Sequence, residues 1–472
     1  MKEKTKMSEK TNGQILDEKL SYKRENIFDR IDAKTEKEVF DYCEGYKNFL
    51  DTAKTEREAV STAIQLAKQN GFKEYSFGAP LKAGDKFYYN NRGKSLILFK
   101  IGNESIENGI RIAAAHVDSP RLDLKPRPLY EDMGMCFLKT HYYGGIKKYQ
   151  WTAMPLALHG KVILSDNSTV DIVIGEDDKD PVFYINDLPP HLAQTQNQKT
   201  LALGIEGENL NLLVGSKPYP DNEVAAKIKL NILTILNEKY GITEADLISA
   251  ELCAVPAAKA RDLGFDRSLI SSYGHDDRVC AYPALTAIFD GEDTKHTVMV
   301  VLADKEETGS DGNTGMKSAF LRDIIENIAI SLGGNPVTVR ATSKCLSADV
   351  NVAYDPNFPD VFEKRNAALI NHGVVISKYT GARGKSGTSD ASAEYLGYIR
   401  NIFDKNDICW QIAELGKVDQ GGGGTVAAYI ANMNIDTIDL GVPVLSMHAP
   451  CEVVAKLDVY MAHKAICTLF NE

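Results

Sequence analysis

Residues 110–120 read IRIAAAHVDSP, an apolar run of strand length that ends in histidine, aspartate and proline. Residues 298–309 repeat this pattern as VMVVLADKEETG, and an amphipathic helical pattern follows over 320–332. Alternating strands and helices favour a mostly parallel sheet with helices on both faces. The two stretches therefore predict an α/β fold, with polar residues gathered where the strands end.

Further elements extend the pattern to both sides. Thr35 with Glu38 fits a capping box at the start of one helix. Thr55 with Glu58 fits a second capping box, and Gly71 fits the stop of that helix. Apolar runs predict strands at 96–101, 110–115, 298–302, 368–376 and 442–447, and a closing helix at 453–470.

Residues 121–252 differ from the rest of the chain in their pattern of apolar residues and prolines. Apolar residues alternate over 161–174 around Asp166 and Asn167, which predicts a β-hairpin, and prolines cluster at 181–190. We expect 121–252 to be an inserted β-rich domain. The flanking residues 1–120 and 253–472 then form one discontinuous α/β catalytic domain.

Length, charge and composition exclude several classes of protein. The 472 residues, 43% hydrophobic and 25% charged, are typical of a soluble globular protein. The net charge of −11 argues against a nucleic-acid partner and against an anionic membrane surface. No apolar run approaches about 18 residues, and the first 14 residues lack a secretory core, so we expect no membrane span and a solvated lead-in. Eight scattered cysteines without a CxxC pair indicate free thiols in the cytoplasm.

Acidic and imidazole side chains stand just after the apolar runs, where open α/β sheets place ligands. The candidates are His116, Asp118, Asp276, Asp277, Glu306, Glu307, Asp349 and His448. Each one alone is equally compatible with a strand end, a helix start or a solvated surface. Together they offer two imidazoles and several carboxylates but no thiolate, which suits a pair of zinc, manganese or cobalt ions. Such a pair activates water for hydrolysis.

Spacing suggests partial roles for these residues. Asp118 lies two residues after His116 on an extended chain, so both side chains face the same way and the carboxylate can orient the ring. Of Glu306 and Glu307, one carboxylate can bind a metal while the other takes a proton from water. Asp276 can bridge two ions.

Six motifs, in order along nearly the whole chain, carry a family likeness: AAHVDSPRLDLKP, GHDDRVCAYPAL, DKEETGSDGNTGM, SADVNVAYDPN, NHGVVI and SMHAPCEV. The chain resembles the aspartyl aminopeptidase family, dinuclear-zinc exopeptidases that form large homo-oligomers. The resemblance implies hydrolysis of the N-terminal residue, Asp or Glu, from peptides with a free N-terminus. It also implies two divalent ions, with zinc expected and manganese or cobalt as alternatives.

The resemblance carries over residue by residue to the metal ligands. It implies that His116 and Asp349 bind one ion. It implies that Glu307 and His448 bind the other. Asp276 resembles the bridging aspartate, although this chain has Asp-Asp-Arg where relatives often have Asp-Asn-Arg.

The same resemblance assigns catalytic and assembly roles. Glu306 resembles the general base, and Asp118 resembles the carboxylate that orients the first histidine. The inserted domain, 121–252, is similar to the family's dimerisation domain, which implies self-association as dimers and a dodecamer. Within it, DLPPHL at 187–192 resembles a segment that enters the partner subunit's active site, so His191 is expected to hold the substrate carbonyl or its developing oxyanion.

Substrate specificity depends on a loop near the end of the chain. The stretch KYTGARGK at 378–385 falls where the family has a lysine that faces the acidic substrate side chain, so Arg383 and Lys385 are both candidates. The register differs from the family pattern, and three cations in one loop equally describe a solvated surface. The GGGGT run at 421–425 lacks the context of a phosphate loop and is expected to let the backbone approach the substrate.

Three alternatives stay open on the sequence alone. The first is an aminopeptidase of broader specificity, which follows if neither cation reaches the pocket. The second is another dinuclear-metal amidohydrolase, a carboxypeptidase or deacylase, because the same ligands serve both. The third is a catalytically silent assembly protein, which the intact set of candidate ligands argues against.

Overall fold

The computed structural model describes residues 10–291 and 294–472. The described α-helices are α1 Asn12–Leu20, α2 Ala33–Thr52, α3 Glu56–Gln69, α4 Leu201–Gly204, α5 Lys227–Tyr240, α6 His275–Phe289, α7 Phe320–Ser331, α8 Pro336–Thr342, α9 Ala393–Lys405, α10 Ala427–Ala431 and α11 Lys456–Phe470. The described strands are β1 Lys73–Glu74, β2 Lys86–Asn91, β3 Ser95–Lys100, β4 Arg111–His116, β5 Arg121–Asp132, β6 Met135–Tyr143, β7 Leu156–Ile163, β8 Thr169–Ile174, β9 Leu212–Gly215, β10 Ala250–Pro256, β11 Arg261–Leu263, β12 Leu269–Ser272, β13 Val298–Ala303, β14 Lys344–Ala348, β15 Asn351–Val352, β16 Val374–Ser377, β17 Trp410–Ile412, β18 Asp436–Gly441, β19 Pro443–Leu445 and β20 Glu452–Ala455.

A nine-stranded sheet in the order β1-β2-β3-β13-β4-β14-β18-β16-β17 lies at the centre of the fold. Its inner strands β13, β4, β14 and β18 are parallel to one another. Strands β3 and β16 run antiparallel to the inner strands beside them. The predicted α/β fold with a mostly parallel sheet is therefore confirmed.

Helices cover both faces of this sheet. Val298, Val300 and Leu302 of β13 pack in a core with α2, α3, α6, α9 and α11, whereas Met299 and Val301 pack on the other face with α7, α8 and α10. Successive side chains of a strand point to opposite faces, so a strand covered on both sides consists of apolar residues throughout. This double burial explains the uninterrupted apolar run from which the strand was predicted.

A second, six-stranded sheet in the order β8-β7-β10-β5-β6-β9 is antiparallel throughout. It has its own core around the fully buried Trp151. The hairpin of β7 and β8 turns at Asp166 and Asn167, as predicted, with Asn167 at φ +66°. The domain boundary expected at residue 252 falls within β10 of this sheet.

A third sheet has five strands in the order β11-β12-β20-β19-β15. Its strands β19 and β20 are antiparallel neighbours. The loop between them, residues 446–451, contains His448. This sheet therefore controls where that histidine lies.

Several local predictions are confirmed and others are wrong. The Thr55–Glu58 capping box is present. The box at Thr35 is not, because α2 begins earlier, with Asp32 as its N-cap accepting from the backbone N–H of Thr35 at 2.8 Å. The run 368–376 is a strand only from Val374, since its first part pairs in an isolated bridge.

The two ends of the chain also differ in part from expectation. Residues 1–9 of the expected lead-in lie outside the described residues, and the following α1 is a helix with every side chain exposed. Strand β18 was not predicted, because Asp436 and Asp439 interrupt its apolar residues. Among the described helices, none combines the length and apolar character needed to cross a membrane.

Candidate metal centre

Three neighbouring strands position the first part of the site. Because β13, β4 and β14 are adjacent and parallel, their carboxyl ends meet at one edge of the nine-stranded sheet. His116 is the last residue of β4, Asp349 follows β14, and Glu306 and Glu307 follow β13 in a turn. Parallel pairing alone therefore brings these four side chains to one edge.

Asp276 and His448 reach the same edge from other elements. Asp276 lies in the first turn of α6, and His448 lies in the loop between β19 and β20. Oδ1 of Asp276 is 3.1 Å from Nε2 of His116, and its Oδ2 is 3.1 Å from Nε2 of His448. One carboxylate therefore faces two imidazole rings with different oxygens.

The six side chains include two groups with metal-ligand spacing, and Asp276 belongs to both. In the first group, Nε2 of His116 is 3.6 Å from Oδ1 of Asp349. In the second, Nε2 of His448 is 3.4 Å from Oε2 of Glu307. Ligand atoms about 2.0–2.2 Å from a tetrahedral zinc ion lie roughly 3.3–3.6 Å apart. Both groups therefore fit a zinc ion by spacing as well as by donor type.

The charges in the site also fit a cation. Burial raises the pKa of Glu307 and of Asp349, and the negative charge of Asp276 raises both further. Burial also acts to raise the pKa of Asp276, but hydrogen bonds with His116 and His448 outweigh it and hold that pKa well below its usual range. Among the described residues, Oε1 of Glu307 is a buried oxygen without a hydrogen-bond partner. Divalent ions would neutralise these crowded carboxylates.

Backbone and carboxylate oxygens orient both rings. Nδ1 of His116 is 3.0 Å from the backbone oxygen of Asp118 and 3.3 Å from its carboxylate. Nδ1 of His448 is 2.7 Å from the backbone oxygen of Gly145. Because these oxygens only accept, each Nδ1 carries a proton, and each Nε2 is the ring atom turned toward the carboxylate cluster, where it would give its lone pair to a bound metal ion.

A cavity of about 430 Å³ opens beside the two groups. Glu306 lines it, with Oε2 4.0 Å from Nε2 of His116. Burial and the charges of Asp349 and Asp276 raise the pKa of Glu306 to about 8, despite the opposing effect of His116. The glycine run 422–424 forms another wall, and Gly422 has φ +114° with its backbone against Ala382, where a Cβ would lie 2.5 Å from Cα. Only glycine fits there.

Three other predicted residues are placed elsewhere in the described chain. His191 lies in an exposed turn of the segment Pro190–Leu192 and does not line this cavity. Arg383 and Lys385 line a neighbouring cavity of about 300 Å³, which shares Thr380 and Leu415 with the first. Nζ of Lys385 is 3.0 Å from Asp390 and lies over the ring of Tyr379.

The chain is similar along most of its length to known proteins of one family. A sequence model described as Aminopeptidase I zinc metalloprotease (M18) matches residues 49–470. The chain belongs to the M18 family. It is 49% identical over 455 residues to the probable M18 family aminopeptidase 1 of Clostridium acetobutylicum, covering 94% of this chain and 98% of that relative.

Solved structures of M18 proteins share the fold. The crystal structure of the M18 aminopeptidase from Thermotoga maritima matches with a TM-score of 0.91 and 40% identity, covering 95% of this chain and 99% of that one. The mApe1 dodecamer of S. cerevisiae matches with a TM-score of 0.74 and 23% identity, covering 90% and 95%. This M18 chain is a zinc metallo-aminopeptidase, as the six motifs implied.

Two residues that the sequence analysis missed contact the candidate metal centre. The hydroxyl of Tyr143 donates to Oδ2 of Asp118 at 2.7 Å. Glu452 accepts from the backbone N–H groups of His448, at 2.7 Å, and Asp276, at 3.1 Å. Burial and the charge of Asp276 raise the pKa of Glu452 to about 8. Glu452 lies within the motif SMHAPCEV, four residues after His448. Its place in that motif is the one sequence feature that could have indicated it.

Proposed function

We propose that this M18 aminopeptidase works with two metal ions and that the carboxylate of Asp276 would help to hold both. The observation that supports this most directly is that each oxygen of this carboxylate faces a different histidine. His116 and Asp349 would hold one ion, and Glu307 and His448 the other. Zinc is the expected metal at both positions, with manganese or cobalt as alternatives.

Bound zinc ions supply an acidified water and a polarised scissile carbonyl. Glu306 is the group that moves the proton: it accepts one from the attacking water and returns it to the leaving amine nitrogen. Its position on the cavity wall, 4.0 Å from the nitrogen of His116, suits this role. Asp118 keeps the ring of His116 in the orientation required for ligation. A carboxylate of this cluster, or an ion that it holds, would bind the free α-amine, and this requirement for a free amine would make the reaction that of an aminopeptidase.

We propose Asp and Glu as the preferred N-terminal residues, with Arg383 as the group that reads them. Lys385 is already paired with Asp390, whereas Arg383 lies at the cavity that adjoins the candidate metal centre. A second candidate is a broader specificity for uncharged residues. It is favoured by the walls of the metal-centre cavity itself, where Val350 and Met447 contribute apolar surface.

We further propose that copies of this chain associate through 121–252, first as dimers and then as a dodecamer. Exposed apolar side chains in this region support an interface, including Leu188, Leu192 and Leu201. The S. cerevisiae relative is a dodecamer with the same fold. In such an assembly His191 would reach the active site of the partner subunit and stabilise the oxyanion. The eight free thiols support a cytoplasmic location.

The test is hydrolysis of a panel of N-terminal aminoacyl chromogenic substrates by the zinc-loaded protein, with and without chelator. Chelator-sensitive release led by Asp and Glu supports both the metal mechanism and the acidic preference. Chelator-sensitive release led by Leu or Met would retain the mechanism and refute the acidic preference.

Matched N-acetylated substrates separate the remaining alternatives. An aminopeptidase needs the free amine, so acetylation should abolish release. If acetylated substrates react faster than free ones, the reaction is that of a deacylase or carboxypeptidase. If no substrate reacts although metal is bound, the chain is a silent assembly protein, and the proposed mechanism is wrong.

A further inference from the structure

A third group of metal-ligand side chains lies at the opposite end of α6. Asp290 directly follows this helix, and His463 and Cys467 lie one turn apart on α11. At about 1.5 Å per residue, α6 separates Asp276 from Asp290 by roughly 20 Å. This group is therefore distinct from the candidate metal centre, and the proposed reaction makes no use of it.

The three ligand atoms have the spacing of a zinc site with one sulfur ligand. Nε2 of His463 is 3.2 Å from Oδ2 of Asp290 and 3.6 Å from Sγ of Cys467. Sγ is 4.0 Å from the same carboxylate oxygen. Around a tetrahedral zinc ion, with Zn–S about 2.3 Å and Zn–N about 2.05 Å, sulfur and nitrogen lie roughly 3.6 Å apart. The distance from Sγ to Oδ2 of Asp290 is a few tenths of an ångström longer than in an ideal tetrahedral site.

Thr286, which has no part in the proposed reaction, orients the ring of His463. Its Nδ1 is 2.9 Å from Oγ1 of Thr286. That hydroxyl also lies 3.1 Å from the backbone oxygen of Pro283 and 3.2 Å from that of Tyr282, which only accept. The hydroxyl of Tyr42 lies 2.8 Å from the same Oγ1 and can donate to one of its lone pairs. With the hydroxyl proton of Thr286 directed to its own helix, the other lone pair receives the Nδ1 proton of His463. In the neutral ring, Nε2 then carries a lone pair.

That lone pair faces a carboxylate oxygen at 3.2 Å, which requires a cation or a second ring proton between the two atoms. The backbone next to this carboxylate is held in place, because Nζ of Lys100 donates to the backbone oxygen of the adjoining Gly291 at 2.6 Å. The side chain of His463 is only 10% exposed, whereas that of Asp290 is 65% exposed. The group is preorganised on one side and open to solvent on the other.

We propose that Asp290, His463 and Cys467 bind one divalent ion of borderline softness, with Zn²⁺ as the expected occupant. The ion would join the C-terminal helix α11 to the end of α6. On binding, the thiol of Cys467 releases its proton to solvent, and the thiolate with the carboxylate neutralises the ion. A solvent molecule completes four-coordination, so the ion should exchange more readily than in a site with four protein ligands.

Cobalt distinguishes this site from the catalytic one. Within the described residues, neither group of the candidate metal centre contains a cysteine, so a thiolate-to-cobalt charge-transfer band can arise only elsewhere. The full-length, metal-stripped protein is titrated with Co²⁺ and followed by near-ultraviolet absorption and by bound metal per chain. We expect the band to appear when one equivalent of Co²⁺ per chain binds in addition to the Co²⁺ bound at the candidate metal centre.

Two variants and one control make the assignment. Cys467→Ser should lose the band and one equivalent of Co²⁺ while retaining peptidase activity. Asp290→Asn, at an exposed side chain, should weaken the Co²⁺ affinity of the band at least tenfold without affecting folding. Cys451→Ser removes an exposed thiol and should keep the band.

Several results would overturn the proposal. One is a wild-type protein without the band, in which the second ring proton rather than a metal joins His463 to Asp290. Another is a band that survives Cys467→Ser. If the wild-type protein shows the band but hydrolyses no peptide, the proposed function is refuted, whereas the metal site at Asp290, His463 and Cys467 is supported.

Discussion

At the scale of single residues, adjacent carboxylates have different environments. The side chain of Glu307 is 3% exposed and faces His448, whereas that of Glu306 is 18% exposed and lines the cavity. Consecutive residues in a turn point in different directions, so one can bind a metal and the other can reach substrate. The assignment of proton transfer to Glu306 rests on this difference.

Replacement of Glu306 tests that assignment. Glu306→Gln keeps the shape of the side chain but removes the base, so kcat should fall roughly 10²–10⁴-fold while zinc content stays unchanged. Metal analysis and steady-state kinetics on one preparation measure both quantities. Glu307→Gln is the matched comparison and should lose zinc. A near-normal kcat in Glu306→Gln would remove this residue from the mechanism.

Substrate preference is also decided by single residues. If Arg383 reads an acidic side chain, Arg383→Ala should lower kcat/KM for an N-terminal Asp substrate about tenfold or more and leave a Leu substrate nearly unchanged. Lys385→Ala serves as control, because Lys385 is paired with Asp390. Equal effects of Arg383→Ala on both substrates would contradict the proposed acidic specificity.

At the scale of elements, the six-stranded sheet contributes to the candidate metal centre. The end of β6 supplies Tyr143, whose hydroxyl holds Asp118, and the loop after it supplies the backbone oxygen of Gly145 that orients His448. The ring of Tyr143 is itself held by the guanidinium of Arg121, 4.2 Å from its centroid. One short segment of this sheet therefore supports the orientation of both histidines.

Tyr143→Phe should accordingly weaken zinc binding by up to about tenfold, because outer ligands of this kind tune the affinity of the residues that they hold. Competition with a fluorescent chelator measures the affinity. Tyr142→Phe provides the control, because Tyr142 is the neighbouring residue in the chain and is 42% exposed. Identical zinc affinity in the two variants would show that the hydroxyl of Tyr143 does not support the metal centre.

At the scale of the whole molecule, a buried histidine joins the six-stranded sheet to α3. His159 of β7 lies with Nδ1 2.7 Å from Glu58 and Nε2 3.0 Å from Glu176. Burial lowers the pKa of His159, but the hydrogen bonds with Glu176 and Glu58 outweigh it and raise that pKa above its usual value. The raised pKa links stability to pH.

The sign of that dependence follows from the direction of the shift. The stabilisation from protonated His159 is complete below the unfolded pKa of about 6.5 and is lost as pH rises through the higher folded value. The difference in urea midpoint between wild type and His159→Gln should therefore shrink from about pH 6 to pH 9. The exposed His141→Gln should follow wild type. A difference that grows with pH would contradict this account.

Assembly is the other property of the whole molecule. If 121–252 forms the subunit interface, Leu192→Glu should reduce the mass measured by light scattering, because the charge would be buried between subunits. Leu192 is 70% exposed in one chain, and Val337 of α8, 62% exposed, is the control site for the same change. Dissociation by Val337→Glu alone would place the interface on the other part of the chain.

Much of the fold and of the candidate site was predictable from the sequence. Strands buried on both faces, such as β4 and β13, consist of continuous apolar runs in the sequence. The first polar residues after each run lie at the edge of the sheet. The candidates found in this way are His116, Asp276, Glu306, Glu307, Asp349 and His448. The motifs then supplied their separate roles by resemblance, and the family comparison agrees with the enzyme class.

Only the tertiary structure decided how these residues meet. The two oxygens of Asp276 face different histidines because α6 and the loop between β19 and β20 converge on the strand edge, although His448 lies 172 positions along the chain from Asp276. Tyr143 lies outside every motif, and Glu452 lies inside SMHAPCEV with nothing in the pattern to show its role, since the contacts of both are made across separate sheets. Periodicity and motifs are local and report which side chains reach a surface. Distances between elements are set by packing, which is why the spacing of both metal-ligand groups emerged only from the folded chain.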